Sequence, residues 1–519
     1  MESKIKTTIS DISFIGSGIS SSFTLLHFLE ELKTSQFTGK LHIDVIDKYN
    51  EFHTGIPYGN RSGFSVLLIT SLKNFLPEPE LSKFIIWLSA YKEELIENLK
   101  TEGGELTNEW IETHKASIAH NEWEDLFIPR RFFGIYIDQK IKNLLQDNAI
   151  KDKAVVNYFV GDVVDLVEKD KGYQIILADG SEIQTNKAIL SVGSLPVRYL
   201  WGDQPLVEKQ NLLFVNDPYN PGLSSNLQRI QEFVNSRKDK TNVLIVGANA
   251  SALEILYKLN DNKGIKKHLG QFAFLSTLGL LPDSIVDMER QKDFIPQNLQ
   301  ALQNEDCLTA KDIADATYKD LDLADEISLG AASTVEIISQ AFGRLLGKLD
   351  TKELKTFACL YGNDIGRRQR CAGYHYSKTI ESLKEQGAFE HIAGRFEDLS
   401  FIDGEFHLSY LDTATKKVKL HDTQFHLIIN CVGSTNLERS DVPILIKNVL
   451  DKNYVSMNES RIGFNVNDNL EASTNLHVIG PLLAGNIFEG KAVWHLEHCG
   501  RIMWLSKVLA DRLINEILI

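Results

Sequence analysis

The stretch from Ile12 to Leu29, ISFIGSGISSSFTLLHFL, limits most sharply what this chain can fold into. A short apolar run is followed by Gly16, Gly18 and Ser21, and then by Phe23, Leu25, Leu26, Phe28 and Leu29 at spacings that give a helix a buried face. The pattern predicts strand, tight turn, helix. Glycine at Gly16 lets the chain change direction sharply. Glycine at Gly18 lets a pyrophosphate approach the backbone, whose N–H groups and helix dipole then hold the charge. Ser21 stands where a third glycine is usual and is still small enough for close helix–strand packing. LHIDVID at 41–47 reads as the next strand. Its last residue, Asp47, can accept hydrogen bonds from a ribose, although it lies later than the usual spacing of about 20 residues. The competing reading is a glycine turn in an ordinary α/β protein.

A chain of 519 residues is long enough for two or three domains, since single cores stop growing near ~250–300 residues. The net charge of −15 argues against a nucleic-acid partner, which would need lysine and arginine concentrated on one face. MESKIKTTIS runs straight into the first strand and leaves no room for a signal peptide. No apolar run reaches the ~18 residues of a membrane helix. The expectation is a cytoplasmic protein with no membrane partner. The five cysteines, at 307, 359, 371, 431 and 499, form no Cys-x-x-Cys pair. A two-nucleotide flavoprotein of the disulfide-reductase type needs a dithiol beside its flavin, so that chemistry is disfavoured.

After Asp47, the glycine- and proline-bearing loop EFHTGIPYGN at 51–60 falls at the carboxyl edge of the sheet, where ligands bind. Residues 80–126 read as helical, with a break at Gly103 and Gly104. A further helix opens at Pro129 and carries Arg130 and Arg131 at its start. Cations there oppose the helix dipole, so these arginines serve something else, either a cofactor phosphate or an ion pair. From Val155 to Gly193 the pattern changes to strands, with Asp179-Gly180 as a hairpin turn. Residues 395–434 repeat that arrangement, and both segments end in an apolar strand followed by Val-Gly-Ser, at 192–194 and 432–434. Two similar halves are expected.

The second half has its own turn, TNVLIVGANASALEILYKL at 241–259, with Gly247, then Asn249 where a second glycine is usual, then Ser251. Asparagine tolerates a left-handed backbone but brings a side chain toward the ligand. The following strand, QFAFLSTLGLLPDS at 271–284, ends in Ser276-Thr277 rather than in a cation, and Lys266 and Lys267 precede it. Residues 285–358 read as a helical insertion. Arg367, Arg368 and Arg370 then cluster in an otherwise acidic chain. The end of the chain reads as a strand, a glycine-rich turn from Gly480 to Gly490 and a long helix. His495, His498 and Cys499 share one helix without a distant fourth ligand, so no metal is expected.

The segments FIGSGISS, GIPYG, ITSLKNFLPEPELSKFIIWL, FIPRRFFGIYI, NDPYNPG, VLIVGANASALE, LGLLPDS and HVIGPLLAGNIFEGKAVW, with the arginine cluster, fall in one order across nearly the whole chain. In this the chain resembles the bacterial FAD/NAD(P)-binding proteins that include the FAD-dependent amino-acid N-hydroxylases. The resemblance implies an α/β flavoprotein with two dinucleotide-binding domains: a Rossmann-like FAD domain with a β-meander, and a Rossmann-like NAD(P) domain carrying the helical insertion. The expected division is 1–215 and 385–519 for the FAD domain and 216–384 for the NAD(P) domain.

The resemblance further implies FAD on Gly16, Gly18, Ser21, Asp47 and Gly480. Tyr58, Asn74, Arg130, Pro481 and Asn486 stand in matching segments and join that set. A nicotinamide cofactor is implied on Gly247, Asn249 and Ser251. Where the family carries arginines before LGLLP, this chain has Ser276-Thr277, so the second site is expected to be weak or to prefer NADH to NADPH. The implied activity is an NAD(P)H-dependent flavin monooxygenase that uses O2, through a peroxyflavin, on a small amine or amino acid. Arg367, Arg368 and above all Arg370 are expected to hold an anionic group of that substrate. The alternative is a non-oxygenating flavoprotein oxidoreductase, or an FAD-binding partner protein with a degenerate nicotinamide site.

Overall fold

A computed structural model describes residues 9–202, 204, 211–494 and 496–518. Expectations resting on the first eight residues or on His495 lie outside the described residues. Two sheets carry the architecture. The first contains β1 (Ser10–Ile15), β2 (Leu41–Asp47), β3 (Ala154–Val160), β4 (Val163–Glu168), β5 (Tyr173–Leu177), β6 (Glu182–Leu190), β14 (Glu471–Ser473) and β15 (Leu476–Val478). Its order is β14-β15-β6-β1-β2-β3, with β4 and β5 as an antiparallel extension from β6. β1 runs parallel to both β2 and β6, which explains its apolar sequence: in a central parallel strand both faces are covered.

The second sheet contains β7 (Leu213–Val215), β8 (Thr241–Val246), β9 (Leu269–Ser276), β10 (Phe389–Ile402), β11 (Glu405–Asp412), β12 (Val418–Gln424) and β13 (Leu427–Asn430). The order is β12-β11-β10-β9-β8-β13-β7. β8 lies parallel between β9 and β13, and β10 pairs parallel with β9 before continuing into the antiparallel β10-β11-β12 meander.

The two sheets share one backbone frame. The Gly16 N–H donates to the Ile46 carbonyl at 2.8 Å, and the Gly247 N–H donates to the Leu275 carbonyl at 2.8 Å. The Ser191 N–H reaches the Ile15 carbonyl at 2.9 Å, and the Cys431 N–H reaches the Val246 carbonyl at 2.7 Å. The repeated Val-Gly-Ser segments therefore occupy matching places beside the two turns. This corrects the domain boundaries expected from sequence. β10 to β13, placed by sequence in the returning FAD domain, pair with β9 and β8 and belong to the second sheet, as does β7. The strands that return to the first sheet are β14 and β15, and the parallel pairing of β15 with β6 fixes that return.

The helix Ile19–Thr34 packs against the C-terminal helix Cys499–Leu518, whose Leu505, Leu509 and Leu513 are buried. Each such leucine contributes about 1.5–3 kcal/mol of burial. The Ser506 hydroxyl fixes the register by donating to the Ser20 carbonyl at 3.0 Å. The insertion has its own core of Leu299, Ile313, Leu321, Ile338, Phe342, Leu345 and Phe357. It is helical through Arg368, ten residues beyond the expected end at 358. A small hairpin of β16 (Asn486–Phe488) and β17 (Lys491–Val493) leads to Trp494, which packs on Phe357 with ring centroids 5.6 Å apart. The Trp494 ring occupies the space a Cβ on Gly362 would need, so the insertion docks on the returning segment through a glycine.

The helices Glu80–Glu102 and Glu105–His120 break at Gly103 and Gly104, as the sequence predicts. The break is built on the second domain. The Asp261 carboxylate accepts from the Gly104 N–H at 3.1 Å, the Thr107 N–H at 3.0 Å and Lys258 Nζ at 2.8 Å.

Candidate functional site

At the first turn, Gly16 has φ +104°, and a Cβ there would overlap the Ser191 carbonyl, so only glycine fits. Gly18 differs. Its backbone is extended, with φ −87° and ψ −173°, and the atom nearest an added methyl would be Gly55 Cα, 4.0 Å away. The space above Gly18 is therefore a cradle that a side chain would fill. The helix that follows has no side-chain cap, which leaves its first N–H groups for an anion. Ser21 is buried and donates to the Gly18 carbonyl at 2.7 Å, closing the turn from behind.

Two further segments close over this turn. In the 51–60 loop Gly55 has φ +60°, and its Cβ position lies 3.1 Å from Gly18 Cα. The His53 N–H donates to Ser17 Oγ at 2.8 Å, and Ser22 Oγ donates to the His53 carbonyl at 2.9 Å. From the other side comes Gly480, with φ +89°, whose Cβ position lies 3.0 Å from Ser20 Oγ. Pro481 opens the short turn that follows, and Asn486 ties it down by donating to the Leu483 and Phe464 carbonyls at 2.9 and 2.8 Å. Asp47 accepts from the Ser17 and Tyr49 N–H groups, each at 2.9 Å, and burial pushes its carboxyl above the usual range. Its first duty is to hold the turn, and each oxygen keeps a lone pair for a ribose.

The second turn repeats the first with one change. Gly247 has φ +117°, and a Cβ there would overlap the Cys431 carbonyl. Asn249 has φ −88° and ψ −173°, the Gly18 conformation. The left-handed backbone used to rationalise asparagine at this position is thus absent. What distinguishes the site is an exposed side chain where the first turn has open space. Asn249→Gly is expected to tighten binding of ADP-ribose by about tenfold, or ~1.4 kcal/mol, while costing the helix start only a few tenths of a kcal/mol, because Asn249 makes no side-chain cap bond. Calorimetric titration beside a thermal melt checks both.

Residues 13–195 match a protein-family model described as FAD-NAD(P)-binding. This span is an FAD/NAD(P)-binding domain. The open cradle at Gly18, the uncapped helix start and the two glycine segments that approach it fit the pyrophosphate of FAD. Among curated proteins, uncharacterized proteins of Mycobacterium tuberculosis and Mycobacterium bovis are 29% identical over 515 residues, 98% of this chain and 96% of theirs. Among solved structures, L-lysine 6-monooxygenase from Pseudomonas syringae aligns with a TM-score of 0.57 at 12% identity over 98% of this chain and 100% of its own. Ornithine hydroxylase from Pseudomonas aeruginosa aligns with a TM-score of 0.56 at 11% identity over the same shares. An ornithine N-hydroxylase from Kutzneria, solved with reduced FAD, NADP+ and L-ornithine, gives 0.56 at 10% identity, again over 98% and 100%. These likenesses show that the chain shares the fold of those proteins, with its two dinucleotide-binding domains, over 98% of its length.

Of the other residues expected to hold FAD, Tyr58, Asn486 and Arg130 are engaged by protein neighbours. Tyr58 is buried, its ring against Phe75 and Phe133 at 5.9 and 5.3 Å, so it is a core residue. Asn74 is exposed on the short Leu72–Phe75 turn. Asn486 spends its amide on the carbonyls named above. Arg130 donates to Glu254 at 2.8 Å and faces the Tyr219 ring at 5.5 Å, while the Tyr219 hydroxyl donates to the other Glu254 oxygen. Glu254 lies on the helix of the second turn, so Arg130 bridges the two domains. Lys266 and Lys267 precede the amino end of β9, the edge away from Ser276, and Lys266 pairs with Glu105 at 3.3 Å.

The three arginines do not converge. Arg367 pairs with Asp364 at 2.9 Å, and Arg368 with Asp322 and Asp325 at 3.0 and 2.7 Å, because neighbours on a helix diverge by about 100°. Arg370 lies past the helix end. It donates to Glu497 at 3.4 Å, and Glu497 accepts from Ser194 Oγ at 3.3 Å. Ser194 follows β6, next to β1, so Arg370 alone reaches the carboxyl edge of the first sheet. Sequence reasoning missed Glu254, whose signal was present: an acid in the apolar run ALEILYKL requires a buried partner.

Proposed function

We propose that this chain is an FAD-dependent monooxygenase that oxidises a nicotinamide dinucleotide and hydroxylates the nitrogen of a small amine or amino acid. The observation that carries the proposal is the pair of dinucleotide turns built on one backbone frame, within a fold that aligns over 98% of the chain with lysine and ornithine hydroxylases. Bound FAD would supply hydride acceptance and oxygen activation. The chain supplies position. Gly18 and the N–H groups behind it hold the FAD pyrophosphate, with Gly55 and Gly480 closing over it. Gly247, Asn249 and Ser251 receive the nicotinamide dinucleotide. Arg370 presents a planar fork suited to a carboxylate, releasing Glu497 as the substrate takes its place.

The test is a screen of small amines and amino acids for stimulated NADH or NADPH oxidation, with hydrogen peroxide measured alongside. A stimulating substrate should give a hydroxylamine with little peroxide. Arg370→Ala is then expected to keep FAD and accept hydride but to lose at least about tenfold in coupled turnover and release more peroxide, because an unheld substrate is misplaced. Unchanged coupling would remove Arg370 from the site. Asn249 favours a second reading, a flavoprotein with a weak nicotinamide site and no oxygenation. For that protein no amine would stimulate oxidation and both nucleotides would reduce the flavin slowly.

A further inference from the structure

The matching backbone frames identify a residue in the second domain that stands where Asp47 stands in the first. The Gly16 N–H meets Ile46 and the Gly247 N–H meets Leu275, so the next residues, Asp47 and Ser276, are equivalent ends of equivalent strands. That position reads the adenosine ribose in dinucleotide-binding folds. Ser276 has no charge, but it is not alone. Its hydroxyl lies 2.8 Å from His391 Nε2 on the adjacent strand β10, where His391 pairs with Phe274 and Ala393 with Ser276. We infer that Ser276 and His391 read the adenosine ribose of the nicotinamide dinucleotide and select the form whose 2′-hydroxyl is unphosphorylated. This rests on the proposed reading of the second turn as a nicotinamide site.

A hydroxyl beside an imidazole offers both a donor and an acceptor, which is what a ribose diol requires. Burial holds the imidazole down at about 4, so the pair carries no charge at neutral pH with which to meet a phosphate dianion. Of the neighbouring cations, Lys384 is placed away from the pair and Arg395 is held by a carboxylate. Lys384 sits over the Phe389 ring at 5.9 Å, and Phe389 pairs with Phe272, four residues back from Ser276, or roughly 13 Å along the strand. Arg395 is nearer, two residues beyond Ala393, but its Nε and Nη2 both donate to Glu397, at 3.1 and 2.9 Å. The carboxylate that holds this guanidinium also repels a phosphate. Arg198 stands among Arg395, Arg439 and Asp441, and its backbone N–H bonds to the Gly433 carbonyl at 3.2 Å.

The experiment titrates the FAD-loaded protein calorimetrically with ADP-ribose and with 2′-phospho-ADP-ribose. ADP-ribose is expected to bind at least about tenfold more tightly. His391→Phe and Ser276→Ala should each weaken ADP-ribose several-fold while leaving FAD content and the melting temperature unchanged. Glu397→Gln, which loosens Arg395, should strengthen the 2′-phosphorylated ligand. Ser276→Arg should reverse the preference. Equal or tighter binding of the 2′-phosphorylated form by the parent protein would overturn the inference alone and hand the role to Arg395 or Arg198. Binding of neither ligand would overturn the inference together with the nicotinamide reading on which it rests.

Discussion

Gly18→Val is expected to give a folded protein that purifies without flavin. The Gly18 backbone is extended, a conformation any residue adopts, and only Gly55 Cα lies within 4.0 Å of the added Cβ. The fold therefore accepts a Cβ at this position. The pyrophosphate of FAD does not, because the valine methyl groups fill the approach to the helix N–H groups. Loss of that contact should cost FAD at least about a thousandfold in affinity, or ~4 kcal/mol. Gly16→Ala is the informative contrast. Its Cβ would meet the Ser191 carbonyl at φ +104°, so it should damage folding as well as binding. Absorbance spectra and thermal melts of the two variants separate the effects. Full flavin content in the Gly18 variant would displace FAD from this turn.

Arg130→Met should be the most destabilising single change among the charged residues discussed. It leaves Glu254, 3% exposed, against Tyr219 without its cation. Removing one partner of a buried pair costs about 3–5 kcal/mol, a large share of a total stability of ~5–15 kcal/mol. Because the pair joins the helix of the second turn to the first domain, the loss should appear as lower cooperativity of unfolding as well as a lower midpoint in urea. Adding Glu254→Gln should recover most of it. A single variant within about 1 kcal/mol of the parent would mean that Arg130 is free for a cofactor phosphate, the alternative that the sequence leaves open.

Why some of this is legible in sequence and some is not follows from the range of the interactions. The first turn, the Asp179-Gly180 hairpin, the break at Gly103-Gly104 and the helical insertion are written in local patterns. Apolar period, glycine and turn chemistry decide them within a few residues. The partners of Arg130 and of the arginines at 367, 368 and 370 are set by chain segments that sequence spacing does not bring together: Glu254 is 124 residues from Arg130, and Glu497 is 127 from Arg370. Charge clustering in sequence did not become one site in space because the last helix of the insertion points Arg367 and Arg368 apart and ends before Arg370. The boundary near 385 fails for a related reason. Strand pairing decides domain membership, and β10 chooses β9 as its neighbour. The repeated Val-Gly-Ser segments held the correct answer, since a segment that mirrors 155–194 belongs beside its own turn. At Asn249 the substitution was visible but its backbone was not: the conformation is the one Gly18 adopts, and the consequence is steric.

The most direct measurement of the central proposal is turnover of the FAD-loaded protein with NADH or NADPH under isotopically labelled dioxygen, in the presence of the amine that most stimulates oxidation. The expected product is a hydroxylamine that carries one labelled oxygen atom, formed in proportion to the nicotinamide consumed. Nicotinamide oxidation that ends wholly in hydrogen peroxide, with every amine and amino acid recovered unchanged, would contradict it.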